Sequence, residues 1–266
     1  MPAQVDLSKL SVRQFAERFK SEMIPLGNTF SYFCASVPLS EEDLKEYLEE
    51  PVGALPPAVA AALPKISILL VPYLERANGE RNAAPKTGTR DGNRAKPAPA
   101  AEYVSIEKPQ HGRISAATQL SLGGETVLAF ALKDQEVAEY HYRFYHLLAT
   151  VLGEHWTEAV ETSYSRVMRD ELNSDVHGEV DEASWRLKQA LRRSQAAMSA
   201  KAFRTYARQS FIDTLTLYLH GICCDIDVDT GPRQLPSRYL RKRLLLLQEL
   251  FPPPHGYAVF PEQLGS

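Results

Sequence analysis

The residues best suited to chemistry gather at the end of one long apolar stretch, His220-Gly221-Ile222-Cys223-Cys224, followed by Asp225, Asp227 and Asp229. His220 lies three residues before Cys223 and four before Cys224. That spacing puts side chains on one face of a helix. Imidazole nitrogen and thiolate sulfur both suit zinc or a similar borderline divalent cation. A plainer reading fits the same residues. Free cysteine behaves as a small buried hydrophobe, and the cluster has no second CxxC beside it. The sequence therefore favours a packed helix end, with Gly221 as a place where the helix could stop early.

A second concentration lies in Glu139, His141, Tyr142, Tyr145 and His146. Glu139 and Tyr142 are three apart and Tyr142 and His146 four apart, so they share a helical face. A histidine beside a carboxylate can serve as a general base or as a metal ligand. Rings at this density also read as core, with polar tips at the rim. The run His146 to Gly153 resembles the HExxHxxG motif of zincin metallopeptidases at its first and last positions. Leu147 stands where that family has its general base, and Thr150 where it has the second ligand. The resemblance implies at most a degenerate relative.

The acidic run Asp170 to Glu182 holds Asp175, His177, Glu179 and Asp181. Acids at a helix start are favoured by the positive end of the helix, so this run reads as a solvated helix entry. Should a bundle bring His141 or His146 together with His177 and His220, three helices would each offer a ligand. The catalytic candidates are thus Glu139, His146 and His177. The metal candidates are His141, His146, His177, Asp181 and His220. Arg238, Arg241, Lys242 and Arg243 form a basic cluster beside Leu244 to Leu247. This reads as a core helix with a basic solvated side. Phosphate-loop, GxGxxG and GxSxG patterns are absent.

A length of 266 residues and a formal net charge of −3 suit a globular chain and disfavour nucleic acid as the partner. Three cysteines, two of them adjacent, argue against a disulfide framework and for a reducing, cytoplasmic setting. The longest apolar run, Ile66 to Val71, is too short to span a bilayer, and the first residues do not read as a signal peptide.

The spacing predicts a helix over 10–24 capped by Ser11, a short buried helix over 28–35, and a helix from Ser40 to about Glu50 that Pro51 breaks. An alanine-rich helix over 58–63 follows. Lys65 to Glu75 and Glu102 to Lys108 read as strands of one sheet. Between them, residues 76–101 read as a mobile basic insertion without core-forming side chains. Gln119 to Lys133 reads as a hairpin turning at Gly123-Gly124. From Asp134, which is expected to cap the first, helices follow over 134–152, 154–173, 178–193, 201–224 and 236–250.

The expected whole is one α+β domain over 1–266, mostly α. N-terminal helices (10–64) precede a small antiparallel sheet packed on a helical bundle (134–250). With no catalytic motif complete, the first functional reading is an interaction or regulatory protein with an unidentified protein partner and no membrane. A metal-dependent hydrolase is the alternative. Nucleic-acid binding through the insertion and the last helix comes third.

Overall fold

The computed structural model describes residues 10–35, 39–76, 102–110, 113–193, 199–224 and 235–260. The expected insertion lies almost wholly outside the described residues, as do Asp225, Asp227 and Asp229. The fold is α+β and mostly α. The chain divides into two compact units, one from residues 1–39 and 64–135, the other from 40–63 and 136–266.

The first unit carries two sheets. Strands β1 (Ile24–Leu26), β2 (Phe30–Cys34), β3 (Ile66–Val71), β7 (Ala117–Leu122) and β8 (Glu125–Ala131) form one, in the order β1-β2-β3-β8-β7. Its centre is parallel, β2 with β3 and β3 with β8, so the antiparallel pairing expected of the sheet is found at its edges. Every residue of β3 is buried, which fits its unbroken ISILLV run. The stretch expected as a helix over 28–35 is β2, where Phe30, Tyr32 and Phe33 extend against β3. Gly123 and Gly124 take φ values of +58° and +85°, the left-handed geometry a two-residue hairpin needs.

Pro72 ends β3 and separates it from β4 (Tyr73–Arg76), which pairs antiparallel with β5 (Glu102–Ser105) and β6 (Arg113–Ser115). Only the second half of the Lys65–Glu75 stretch therefore pairs with Glu102–Lys108. Helix α1 (Val12–Phe19) starts with a Ser11 capping box and sets Val12, Phe15 and Ala16 against Leu69, Leu74, Val104 and Val127. Asp134 does not cap the following helix. It sits at φ +60° and accepts from Lys108 at 2.7 Å.

The second unit begins at Ser40, whose capping box opens α2 (Glu41–Leu44). A wider π turn, Lys45–Glu49, leads into α3 (Glu50–Gly53). Pro51 was expected to break this helix, but the chain passes through it. In the π turn the Glu50 N–H bonds to the Lys45 carbonyl, five residues back. Glu46 would be the next acceptor and Pro51 its donor, but proline has no N–H. The Glu46 carbonyl is left for another partner. Helix α4 (Pro57–Ala62) completes this segment.

Helices α5 (Val137–Glu154), α6 (Glu158–Asn173), α7 (Glu182–Arg193), α8 (Ala200–Cys224) and α9 (Ser237–Leu250) make the bundle. Between Ser210 and Leu219 nearly every α8 residue is buried, so α8 is the central helix. Helix α5 passes through Gly153 to Glu154. A Cβ there would lie 2.7 Å from Ile212 Cγ1 and 2.9 Å from its Cδ1, so the glycine permits close approach of α8.

The bundle also buries charge. Arg243, Lys188, Glu171 and Glu179 are each at most 1% exposed. Arg243 donates to Glu171 Oε1 at 2.9 Å and to Glu179 Oε2 at 2.8 Å. Lys188 donates to Glu179 Oε1 at 3.0 Å, and the Tyr206 hydroxyl to the same oxygen at 2.5 Å. Ser210 Oγ receives Arg243 at 2.9 Å. The sequence reading of Arg243 as part of a solvated side, and of the 170–182 run as a solvated entry, is corrected at Arg243, Glu171 and Glu179. Arg243 and Glu171 lie on the buried faces of α9 and α6 and Glu179 in the connection between α6 and α7, and all three are tolerated inside because, with Lys188, two positive and two negative charges meet.

Candidate metal centre

At the C-terminal end of α8, Cys223 and Cys224 are half-buried and His141 of α5 is buried beside them. One ligand atom from each of the three lies within 4.8 Å of the others, and His141 Nδ1 is 3.2 Å from Cys224 Sγ. Helix α8 runs unbroken through Gly221, so the glycine does not separate the cysteines from the helix.

The orientation of His141 follows from the π turn. Its Nε2 lies 2.8 Å from the Glu46 carbonyl, the acceptor that Pro51 leaves without a backbone donor. A carbonyl only accepts, so Nε2 carries the proton and Nδ1 turns its lone pair toward the thiols. A ligating histidine is usually fixed in this way, its far nitrogen donating to a carbonyl or carboxylate. Pro51 contributes again through its own carbonyl, which accepts from the Tyr145 hydroxyl at 3.0 Å. That hydroxyl also lies beside Cys223.

The two thiols are not equivalent. A hydrogen bond from Cys224 holds the Cys223 thiol down to about 6 against the effect of burial, with help from Tyr145 and His141. The same bond pushes Cys224 up. The pair thus holds one thiolate near neutrality and shares the remaining proton. The negative end of the α8 dipole adds to the attraction for a cation.

His220 stands close by without joining the group. Its ring centre is 6.0 Å from that of Tyr142 and 6.2 Å from that of Tyr145. Its Nε2 is buried with no hydrogen-bond partner among the described residues. Burial, and then the nearby His141, push its pKa down to about 4, so the ring is neutral at pH 7.

The other sequence candidates are engaged elsewhere. His146 stacks on Tyr142 with its Nδ1 3.4 Å from Thr216 Oγ1, and burial lowers its pKa against the pull of Asp181. Glu139 pairs with Arg143 at 2.8 Å on the surface. His177 is 73% exposed, between Asp175 at 3.2 Å and Arg192 at 2.5 Å. Asp181 accepts from the Ala183 N–H at 3.1 Å where α7 begins. Of the five metal candidates, only His141 is in the group. The sequence linked the two cysteines to His220 rather than to His141, because helical spacing sees one helix at a time.

The basic cluster of α9 is also spoken for. Arg243 is buried, Arg241 lies over Phe260 at 4.5 Å, Arg238 over Tyr239 at 4.7 Å, and Lys242 is 3.6 Å from Asp170. No helix among the described residues is long and apolar enough to cross a membrane. No family model, curated protein or solved structure matches this chain.

Proposed function

We propose that this is a metal-binding protein of the regulatory or interaction class, and that its ligands include His141 Nδ1, Cys223 Sγ and Cys224 Sγ. The observation that carries the reading is the approach of these three atoms to within 4.8 Å, with the far nitrogen of His141 already held by the Glu46 carbonyl. One imidazole and two sulfurs select a thiophilic ion such as zinc over magnesium or calcium. Bound there, the ion joins the end of α8 to α5, so occupancy would set how firmly α8 is anchored. Three free cysteines fit a reducing compartment, and the setting we propose is cytoplasmic.

The hydrolase alternative is weaker because Glu139, His146 and His177, its catalytic candidates, are engaged away from the cluster. The nucleic-acid alternative loses Arg243 to the bundle interior.

Metal analysis of protein purified under reducing conditions tests the proposal. We expect one zinc per chain, and a zinc affinity lowered by at least about tenfold in His141→Gln or Cys224→Ser protein that keeps its helical circular dichroism. Chelation should lower the melting temperature of the wild type. At free zinc of about 100 times Kd, the ion contributes about 2.7 kcal/mol by mass action. Folded, reduced wild-type protein that takes up neither zinc nor cobalt would refute the reading.

A further inference from the structure

Resting on the metal reading of His141, Cys223 and Cys224, we propose that His220 is the fourth protein ligand and that the centre is a closed His2Cys2 site. The first support is position. His220, Cys223 and Cys224 occupy i, i+3 and i+4 of an α8 that stays helical to Cys224, so all three side chains share a face. The second is the state of the ring. Its Nε2 is buried and without a partner among the described residues, whereas buried polar atoms are generally paired. The third is the company it keeps. His220 packs on the ring of Tyr145, whose hydroxyl adjoins Cys223.

These observations have one explanation in common. His220 is held beside the cluster with a neutral nitrogen to spare, and the ion is what that nitrogen pairs with. Structural zinc centres have four protein ligands in a tetrahedron, whereas catalytic ones keep a position open for water. A closed centre would therefore anchor the helix and leave no site for an activated water.

Cobalt(II) bound to the full-length reduced chain is the probe. The wild type should give the visible spectrum of four-coordinate cobalt with sulfur ligands, unchanged by added imidazole or azide. His220→Ala should still take up cobalt through the other three residues, but its spectrum should now respond to imidazole. Its zinc affinity should fall by at least about tenfold, since loss of an outer-shell partner alone costs about 10–100-fold. His220→Gln serves as a second variant if the alanine protein does not fold.

A wild-type spectrum that shifts with imidazole shows an open position and overturns the proposal. So does a His220 variant with unchanged spectrum and affinity, which would leave His220 as a packed ring. In both cases cobalt still binds, and the reading of His141, Cys223 and Cys224 survives. Absence of cobalt uptake by the wild type defeats that reading and this one together.

Discussion

The helical unit buries two groups of polar side chains, and they differ in what is left over. Around Arg243 the accounts of charge and hydrogen bonding both close. Two cations meet two carboxylates, and Tyr206 and Ser210 supply further bonds. Around Cys223 they do not. The Cys223 thiol is pulled toward its thiolate form, His141 aims a lone pair at the thiols, and the His220 Nε2 has no partner among the described residues. An unmet buried polar atom costs about 1–3 kcal/mol. A closed network of this kind fixes architecture, as the Arg243 group does by joining α6, α7, α8 and α9. An open one keeps donor atoms for something else. Both groups occur in the same bundle, so the contrast reflects chemistry rather than burial alone.

The largest effect should come from breaking the closed group. Arg243→Met leaves Glu171 and Glu179 buried with only Lys188 as a counter-charge. Removing one member of a buried ion pair costs on the order of 3–5 kcal/mol. Urea denaturation should show a loss of that size, with zinc stoichiometry unchanged in whatever fraction remains folded. A loss under about 1 kcal/mol would mean that the network does not hold the bundle.

The same group should govern acid stability. Burial pushes the Glu179 carboxyl up, but the charge and hydrogen bonds of Arg243, with Lys188 and Tyr206, more than offset it and bring the pKa to about 2 from 4.5. A carboxylate whose folded pKa lies below its unfolded one stabilises the fold above the unfolded value. Its contribution is therefore complete above pH 4.5 and drains away as pH falls toward 2. Arg243→Met should move this acid limb to higher pH. An acid midpoint that stays put in the variant would assign acid denaturation to other carboxylates.

How much of this the sequence carried depends on whether a feature lies within one element or between two. The Gly123-Gly124 hairpin and the Ser11 and Ser40 caps are local and appear where expected. The run over 28–35 is too short to separate helix from buried strand by periodicity, and its pairing with β3 decides it. Arg243 falls three residues after Leu240 and four before Leu247, on the buried stripe of α9, so its position was legible. What outweighed that position was the habit of arginine to be solvated, and only the distant Glu171 and Glu179 reverse it. His141 likewise lies on the buried face of α5, with Phe144 and Tyr145. Its meeting with the cysteines depends on how α5 packs against α8 and on a carbonyl freed by Pro51. No spacing within α5 encodes either.

A smaller effect should come from Tyr206→Phe, which removes one donor from Glu179 but leaves Arg243 and Lys188 in place. A hydrogen bond to a charged group contributes about 1.5–3 kcal/mol. The remaining donors should hold the loss near the lower figure. Equilibrium denaturation alongside Arg243→Met measures the ratio directly. Equal losses in the two variants would show that the network fails as a unit rather than by shares.

The smallest effect on stability should come from the open group with its metal removed. Cys224 is half-buried at a helix end, so Cys224→Ala in chelator should cost about 1 kcal/mol or less, in line with the small loss of apolar area. Its effect on Cys223 should be large by comparison. The hydrogen bond from Cys224 is the leading reason that the Cys223 thiol titrates at about 6 rather than 9. In chelated wild-type protein, alkylation of Cys223 should therefore rise to half its maximum near pH 6. In Cys224→Ala that midpoint should move up toward 9, because burial then opposes the thiolate with less to balance it. A midpoint near 9 in the wild type would show that the two thiols do not share a proton. A large stability loss in Cys224→Ala, comparable with that of Arg243→Met, would erase the contrast between the groups and make the cysteines part of the architecture.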